Sequence, residues 1–402
     1  MLRPCLLRTG WALQPTLPPI EVFAPTRAPP LTMALASPVV AGSSMAAALV
    51  LFLVARRWDG RLSFLLNMIF LFAGAPNFSA VTDDADPEMG AHVQKLRGRH
   101  EKGMAPLPSV DVDATEDLLL PRRPAGGTAD TVPVRIYYPP PSIETADTPL
   151  PWLLYCHGGG WVMGSVETHD AFCRRLCASA GVAIASVDYR RAPEHKYPAP
   201  EDDCYHAFTT LLGSRQEGSS VVDTLRPLDC TRVGVGGDSS GGTLAANVAI
   251  RAARASTPLP LKLQLLFSPA LDAAANTPSY ETNANAPGLS AEAMRWLWAR
   301  YLPSTAAGDA AGDAARATLA ASPLQAADLS GVAPAYIVAA ELDVLRDEAE
   351  VYAARLRGTG GQATFVETPG AVHAFCVYAG TPLALGDSAF DDAAAYLKFA
   401  LR

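Results

Sequence analysis

The sequence predicts an α/β fold with a mostly parallel central sheet and helices on both of its faces. Short apolar runs alternate with helical segments over most of the chain, an order that crossover connections between parallel strands produce. Several runs are apolar throughout, which is typical of strands covered on both faces. Two runs end in glycine clusters, HGGGW at 157–161 and GGDSSGG at 236–242, where the backbone must turn sharply or pass close to another group.

The predicted elements follow one another in a regular order. Strands are expected at 131–139, 152–156, 182–189, 231–237, 261–270, 335–341 and 362–370. Helices are expected at 167–181, 202–213, 243–255, 290–302, 344–360 and 387–401. The first strand alternates in polarity, and the first helix ends at Gly181, a common helix stop. The long segment 272–334 lies between two predicted strands and follows the carboxyl end of the first. Such sheets bind ligands on that side, so the segment is a candidate lid.

The amino-terminal part of the chain has a different character. Residues 1–33 are rich in proline and lack an apolar period, so we expect a disordered or targeting segment. Residues 34–76 are hydrophobic, and 34–55 carry no charge over a length that can span a bilayer, which takes ~20 residues. Three interpretations stay open, namely a membrane anchor or hairpin, a cleaved signal or transit sequence, and a buried helix. We expect membrane association through residues 34–75, with a cytoplasmic or organellar location as the alternatives.

The composition limits the classes of function. The 402 residues are 49% hydrophobic, which is ample for one large core, and the net charge of -8 with no basic stripe argues against a nucleic-acid partner. The seven cysteines are odd in number and lack zinc-finger spacing, so buried reduced thiols are expected. His169, Cys173 and Cys177 share a face of a predicted helix, but helix packing explains them better than a metal site does. The oligomeric state stays open.

The second glycine cluster has the pattern of a nucleophile turn. Gly237, Ser239 and Gly241 fit G-x-S-x-G between a predicted strand and a predicted helix. In that setting the serine occupies a strained turn that projects its hydroxyl above the sheet, and the glycines let the neighbouring backbone pass. We therefore predict Ser239 as a nucleophile.

A serine hydroxyl needs a base, and hydrolases of this type place the acid and then the histidine after the serine. His373 is the only one of the seven histidines that follows Ser239, and it lies between the last predicted strand and the last helix. Glu341, Asp343 and Asp347 are the candidates for the acid. Asp343 is favoured because it lies just past the expected strand end, from where it can fix the tautomer of His373.

A serine nucleophile also explains the first glycine cluster, at 157–161. Attack on an acyl carbonyl creates an oxyanion, which backbone N–H groups must stabilise. We predict that Ser240, the residue after the nucleophile, supplies one donor and that Gly158 and Gly159 supply the others, as HGGG loops do in esterases. His157 is expected to orient the loop rather than to act as the base.

Together, HGGGW, YRRAPEHKYPAPEDD at 189–203, GDSSGG, SPLQAADLSG, AELDVLRDE and GAVHAF resemble the hormone-sensitive-lipase-like serine esterases of the α/β-hydrolase fold. The resemblance covers roughly residues 85–402 and extends to membrane-anchored arylacetamide-deacetylase-like relatives. It implies a carboxylic-ester hydrolase with Ser239, Asp343 and His373 as its triad. The usual GDSAGG of the family is GDSSGG here, which keeps the backbone donor at position 240.

The resemblance also implies a lid. Residues 77–402 would be one catalytic domain whose lid comes from about 83–105 and 275–320. Met294 and Trp298 fall on one face of the helix in the second lid segment, and packing against the main domain is the favoured role for them. Lining an acyl pocket, together with Trp161, is the alternative, and we carry all three as candidate substrate-binding residues.

Three functions remain. The first is an esterase for short to medium acyl esters, with a small-molecule ester as substrate. The second is a membrane-associated lipase or arylacetamide-type deacetylase, which the hydrophobic segment favours. The third is a non-catalytic small-molecule receptor on this fold, against which the intact Ser239, Asp343 and His373 argue. Acyl transfer through serine requires no metal or organic cofactor.

Overall fold

The computed structural model describes residues 88–104, 109–122, 130–141, 148–213, 226–303, 321–379 and 385–402. The predicted segments 1–33 and 34–76, and part of each predicted lid segment, lie outside these residues. No helix within the described ranges is long and apolar enough to cross a bilayer.

Eight strands form one sheet in the order β1-β2-β4-β3-β5-β6-β7-β8. The strands are β1 Ala114–Pro121, β2 Thr131–Tyr138, β3 Leu150–Cys156, β4 Ala183–Val187, β5 Leu228–Asp238, β6 Leu261–Phe267, β7 Ala335–Leu342 and β8 Ala363–Val372. The first two strands pair antiparallel with each other, and β2 pairs antiparallel with β4. All the remaining pairs are parallel, as the alternation of strands and helices predicts.

The helices of the described residues are interleaved with these strands. They are α1 Met89–Met104, α2 Asp170–Ala180, α3 Ala199–Gly213, α4 Ser240–Arg254, α5 Ser279–Thr282, α6 Ala291–Tyr301, α7 Arg346–Gly358 and α8 Leu385–Ala400, with a short 3-10 turn at Pro323–Gln325. The predicted helices all occur, with ends that differ by a few residues. Three of them, α3, α4 and α8, begin earlier than predicted, and the first turns of α3 and α4 directly follow Pro198 and Ser239.

Both faces of the sheet are buried, as the continuous apolar strands predict. Every residue of β3 is buried, and its side chains alternate between two hydrophobic clusters. Trp152 and Leu154 pack in the cluster that contains α3, α4 and α7, whereas Leu153 and Tyr155 pack in the cluster that contains α2 and α8. This two-sided core fixes the carboxyl ends of β3, β5, β7 and β8, where the glycine clusters, the predicted acid and the predicted base follow.

Strand β1 was not predicted. It is an edge strand, and most of its side chains are exposed or half-buried. Its three consecutive leucines at 118–120 neither alternate nor form a long apolar run, and Leu119 is 65% exposed. An edge strand with one solvated face and no clean period gives a weak sequence signal.

Candidate active site

Ser239 occupies a sharp turn between β5, which ends at Asp238, and α4, which begins at Ser240. Its φ of 53° lies in the left-handed region that non-glycine residues rarely adopt, so the turn stores strain. A Cβ on Gly241 would collide with the backbone of Cys156 in the neighbouring strand. The glycine at 241 therefore lets the turn pack directly against β3 and leaves the serine at the carboxyl edge of the sheet.

The structure brings the predicted nucleophile, base and acid into line. Nε2 of His373 lies 2.9 Å from Oγ of Ser239, and Nδ1 of the same ring lies 2.8 Å from Oδ2 of Asp343. Burial alone would lower the pKa of His373, but the charge of Asp343 and its hydrogen bond outweigh burial and raise the pKa above its usual value. All three side chains are buried, so the charge of Asp343 acts on the His373 ring with little screening by bulk water.

The alternative acids are engaged elsewhere. Glu341 accepts a hydrogen bond from the N–H of Gly370 at 2.6 Å, which joins the ends of β7 and β8. Asp347 accepts the N–H of Ser279 at 2.7 Å and pairs with the adjacent Arg346. Asp343 is thus the one member of the predicted set that contacts His373.

The acid loop is also held by two residues that sequence reasoning missed. The side-chain amide of Asn283 donates to the carbonyl oxygens of Glu341 and Asp343, at 3.1 and 3.0 Å. The hydroxyl of Ser279 donates to the carbonyl oxygen of Val344 at 2.6 Å. Both residues belong to the long insertion after β6, so the segment predicted as a lid braces the loop that carries the acid. Polar residues of this kind in an irregular insertion give no sequence signal.

One predicted oxyanion donor needs correction. The N–H of Gly158 donates to Oδ1 of Asp238 at 2.9 Å, so this amide faces the residue before the nucleophile and is not free to meet an oxyanion. No acceptor within the described residues takes the N–H groups of Gly159 and Gly160. The amide of Ser240, at the first position of α4, lacks an intrahelical carbonyl as well. The available donors are therefore Gly159, Gly160 and Ser240.

Asp238 is a buried carboxylate that holds the first glycine of the loop. Its Oδ1 accepts the hydroxyl of Tyr155 at 2.7 Å in addition to the Gly158 amide, and its Oδ2 lies 3.3 Å from Nε2 of His169. Burial opposes ionisation, but the charge and hydrogen bond of His169 and the bond from Tyr155 lower the pKa of Asp238 to about 2. His169 thus supports this carboxylate, and within the described residues no group of three or more metal-ligating side chains is placed to hold an ion.

His157 and the three candidate substrate-binding residues lie in buried packing. The His157 ring stacks on Tyr189 at 4.2 Å and contacts the Gly158 carbonyl through Nδ1, in keeping with a loop-orienting role. Trp161 stacks on Tyr301 at 4.3 Å and packs against Trp298 at 4.2 Å. Met294, also on α6, is buried in the same hydrophobic core cluster as Trp161 and Trp298. These contacts favour packing for Trp161, Met294 and Trp298, and contact with substrate stays a prediction.

Comparison with known proteins shows which family has this architecture. Residues 153–377 match the family described as the alpha/beta hydrolase fold. The chain belongs to this family. The matched region begins in β3 and ends just past His373, so it contains the glycine loop, the serine turn, the acid loop and the histidine loop.

The relatives extend the likeness to esterases. The carboxylic ester hydrolase LipN of Mycobacterium tuberculosis is 39% identical over 63% of this chain and 62% of its own length. The carboxylesterase NlhH of the same organism is 37% identical over 62% of this chain and 72% of its own length. The matches thus span between about three fifths and three quarters of these relatives. They bear out the resemblance to hormone-sensitive-lipase-like serine esterases.

Solved structures agree with the fold. An alpha/beta hydrolase enzyme from the metagenome of Lake Arreo, Spain, superposes with a TM-score of 0.68 at 32% identity and covers 84% of this chain and 95% of its own. A hyperthermophilic esterase from the archaeon Pyrobaculum calidifontis superposes with a TM-score of 0.64 at 34% identity, over 76% of this chain and 93% of its own. The predicted α/β-hydrolase fold is confirmed.

Proposed function

We propose that this protein is a serine carboxylic-ester hydrolase that acts on short to medium acyl esters through an acyl-enzyme intermediate. The observation that carries the proposal is the continuous hydrogen-bonded line from Ser239 Oγ through His373 to Asp343. A nucleophile, a base in reach of it and an acid that orients the base are the three parts that acyl transfer through serine requires. The names of the relatives LipN and NlhH point to the same reaction class.

In the first half-reaction, neutral His373 accepts the proton of Ser239 while the serine oxygen attacks the ester carbonyl. The charge on Asp343 stabilises the imidazolium that forms, which agrees with the raised pKa of His373. The tetrahedral intermediate collapses by breaking the bond to the alkoxy group, which leaves as an alcohol with the proton from His373. Ser239 is then an ester of the acyl group.

In the second half-reaction, water takes the place of the alcohol. His373 removes a proton from the water as it attacks the acyl carbonyl, and returns that proton to Ser239 as the acid is released. The free enzyme is regenerated, and the balance is one ester and one water consumed for one acid and one alcohol.

Both tetrahedral intermediates carry an oxyanion next to Ser239. We assign its stabilisation to the N–H groups of Gly159, Gly160 and Ser240, which have no other acceptor within the described residues. A donor of this kind typically contributes ~2.7–4 kcal/mol in the transition state because it is already oriented before charge develops.

The substrate class is tested by hydrolysis of p-nitrophenyl esters of graded chain length, with Ser239→Ala as the matched control. We expect kcat/KM to be highest for short and medium acyl chains and to be abolished in the control. Activity confined to long-chain esters, or to arylacetamides, would instead support a membrane-associated lipase or deacetylase. The uncharged run at 34–55 is the observation that favours this second function. Binding of esters without any turnover would favour a receptor.

A further inference from the structure

The two residues that flank the nucleophile hold the two ends of the glycine loop. On one side, Oδ1 of Asp238 accepts the N–H of Gly158 at 2.9 Å. On the other side, Oγ of Ser240 accepts the N–H of Trp161 at 3.2 Å. The amides of Gly159 and Gly160 lie between these two anchors, so the turn that presents the serine also fixes the loop that faces it.

The anchor at Trp161 holds a strained piece of backbone. Gly160 and Trp161 are consecutive left-handed residues with φ values of 62° and 60°. For tryptophan this conformation is costly and persists only where the surroundings impose it. Trp161 is fully buried, and Ser240 is the acceptor that its amide finds within the described residues. Removal of the hydroxyl would leave a buried amide unpaired at the most strained point of the loop.

The same hydrogen bond limits the orientation of an oxyanion donor. It fixes the peptide plane between Gly160 and Trp161, and only the two backbone torsions of Gly160 separate that plane from the plane that carries the Gly160 N–H. Glycine has no side chain to restrict these torsions. The direction of the Gly160 amide therefore depends on two anchors. The Gly159 carbonyl, in the same peptide plane, accepts the N–H of Met163 at 2.8 Å, and the Ser240 hydroxyl holds the next plane along the chain.

We propose that the side chain of Ser240 is a positioning group for the oxyanion hole, in addition to the backbone N–H that this residue supplies. Its hydroxyl ties the loop at Trp161 to the first turn of α4 and keeps the Gly160 amide directed at the reacting carbonyl. This inference rests on the proposed esterase mechanism and deepens it. It assigns a role to the position at which the sequence departs from the usual GDSAGG pattern.

The test compares Ser240→Ala with wild type in the full chain. The substitution keeps the backbone donor and removes only the hydroxyl. We expect kcat for p-nitrophenyl butyrate to fall about tenfold with KM unchanged, because displacement of an oxyanion donor costs less than its removal, which is worth ~10²–10³-fold. The affinity for a trifluoromethyl ketone, which forms a tetrahedral adduct with the serine, should fall by the same factor.

The matched control is Ser322→Ala. This serine is also buried and accepts a backbone amide, that of Ala273 at 2.9 Å, but this partner belongs to the insertion after β6 and not to the glycine loop. Its loss should lower the midpoint of thermal unfolding and leave kcat unchanged. If Ser240→Ala does not fold, Ser240→Cys, which keeps a weaker acceptor at the same place, should show a smaller loss of kcat in the same direction.

The outcomes separate this inference from the mechanism on which it rests. A loss of kcat of about threefold or more at constant KM, matched by the ketone, supports a positioning role. A smaller loss of kcat, or a change confined to KM or to thermal unfolding, overturns it. Activity that survives Ser239→Ala would overturn the proposed function itself, whatever Ser240→Ala does.

Discussion

Nδ1 of His373 lies 2.8 Å from Oδ2 of Asp343, while the neighbouring Glu341 directs its carboxylate to the amide of Gly370. The two acids are two residues apart on the end of β7 and have different partners. Asp343 therefore acts on the base, whereas Glu341 joins two strands. This difference makes the assignment of the acid testable.

Asp343→Asn should lower kcat by ~10⁴-fold, because an amide stabilises the wrong tautomer of His373 and does not stabilise the imidazolium. Glu341→Gln should cost far less, because the glutamine oxygen can still accept the Gly370 amide. Steady-state kinetics on one ester measure both variants. Equal losses from the two substitutions would be incompatible with Asp343 as the acid.

The activity should depend on pH through His373. The raised pKa means that the imidazole is charged, and unable to act as a base, at pH values up to somewhat above its usual ~6.5. The value of kcat/KM should therefore rise through one ionisation whose midpoint lies above that value. In Asp343→Asn the charge of Asp343 is gone and only the weaker effect of the Asp238 charge still opposes burial, so the midpoint of the residual activity should move to lower pH. A midpoint that stays in place would show that another group controls the profile.

The hydrogen bonds from Asn283, in the insertion, to the acid loop predict that a substitution away from the nucleophile lowers catalysis. Asn283→Ala removes two hydrogen bonds to the carbonyls on either side of Leu342, each worth ~0.5–1.5 kcal/mol. We expect kcat to fall by about threefold to thirtyfold as the acid loop loosens, with a smaller change in KM. Asn276→Ala, which alters an exposed asparagine of the same insertion, is the control and should behave as wild type. If Asn283→Ala matches the control in kcat, the brace has no catalytic role.

The buried carboxyl of Glu201 predicts a pH-dependent stability. Its Oε1 accepts the amide of Asn247 at 2.6 Å and the hydroxyl of Tyr301 at 3.1 Å, and burial raises its pKa well above the usual value. A raised pKa in the folded state means that the contribution of Glu201 to stability is complete below its unfolded pKa of ~4.3 and declines as the pH rises past it. Glu201→Gln keeps the acceptor oxygen and removes this decline.

The free energy of unfolding of Glu201→Gln should therefore exceed that of wild type at pH 8, and the difference should shrink as the pH is lowered toward 5. Denaturant unfolding at the two pH values measures it. A variant that is less stable than wild type at pH 8 would indicate that the ionised carboxylate stabilises the fold.

Features that leave a regular pattern in the sequence could be predicted, and features that depend on contacts between distant segments could not. The buried parallel strands are continuous apolar runs because both faces are covered, so the sheet could be predicted from the order of these runs along the sequence. The grouping of Ser239, Asp343 and His373 could be predicted because hydrolases of this type place the acid and the histidine after the serine, and each residue follows a strand that ends at the same edge of the sheet. Strand β1, by contrast, lies at that sheet's exposed edge and has no clean period.

The glycine loop shows where sequence reasoning fails. Three consecutive glycines are equivalent in the sequence, and the choice of donors depends on which amide is already taken. The carboxylate of Asp238 takes Gly158, which shifts the available pair to Gly159 and Gly160. Asp238 is distant from the loop in sequence, so only the packing of β5 beside β3 brings the two together.

The central claim is that Ser239 is acylated during turnover. A fluorophosphonate that phosphonylates serine hydrolases tests it most directly, with peptide mass spectrometry of the full-length protein as the readout. The account predicts one label per chain, on the peptide that contains Ser239, no label in Ser239→Ala, and a sharply slower reaction in His373→Ala, because a neutral hydroxyl without its base is a poor nucleophile. A label on another residue, or ester hydrolysis undiminished in Ser239→Ala, would contradict it.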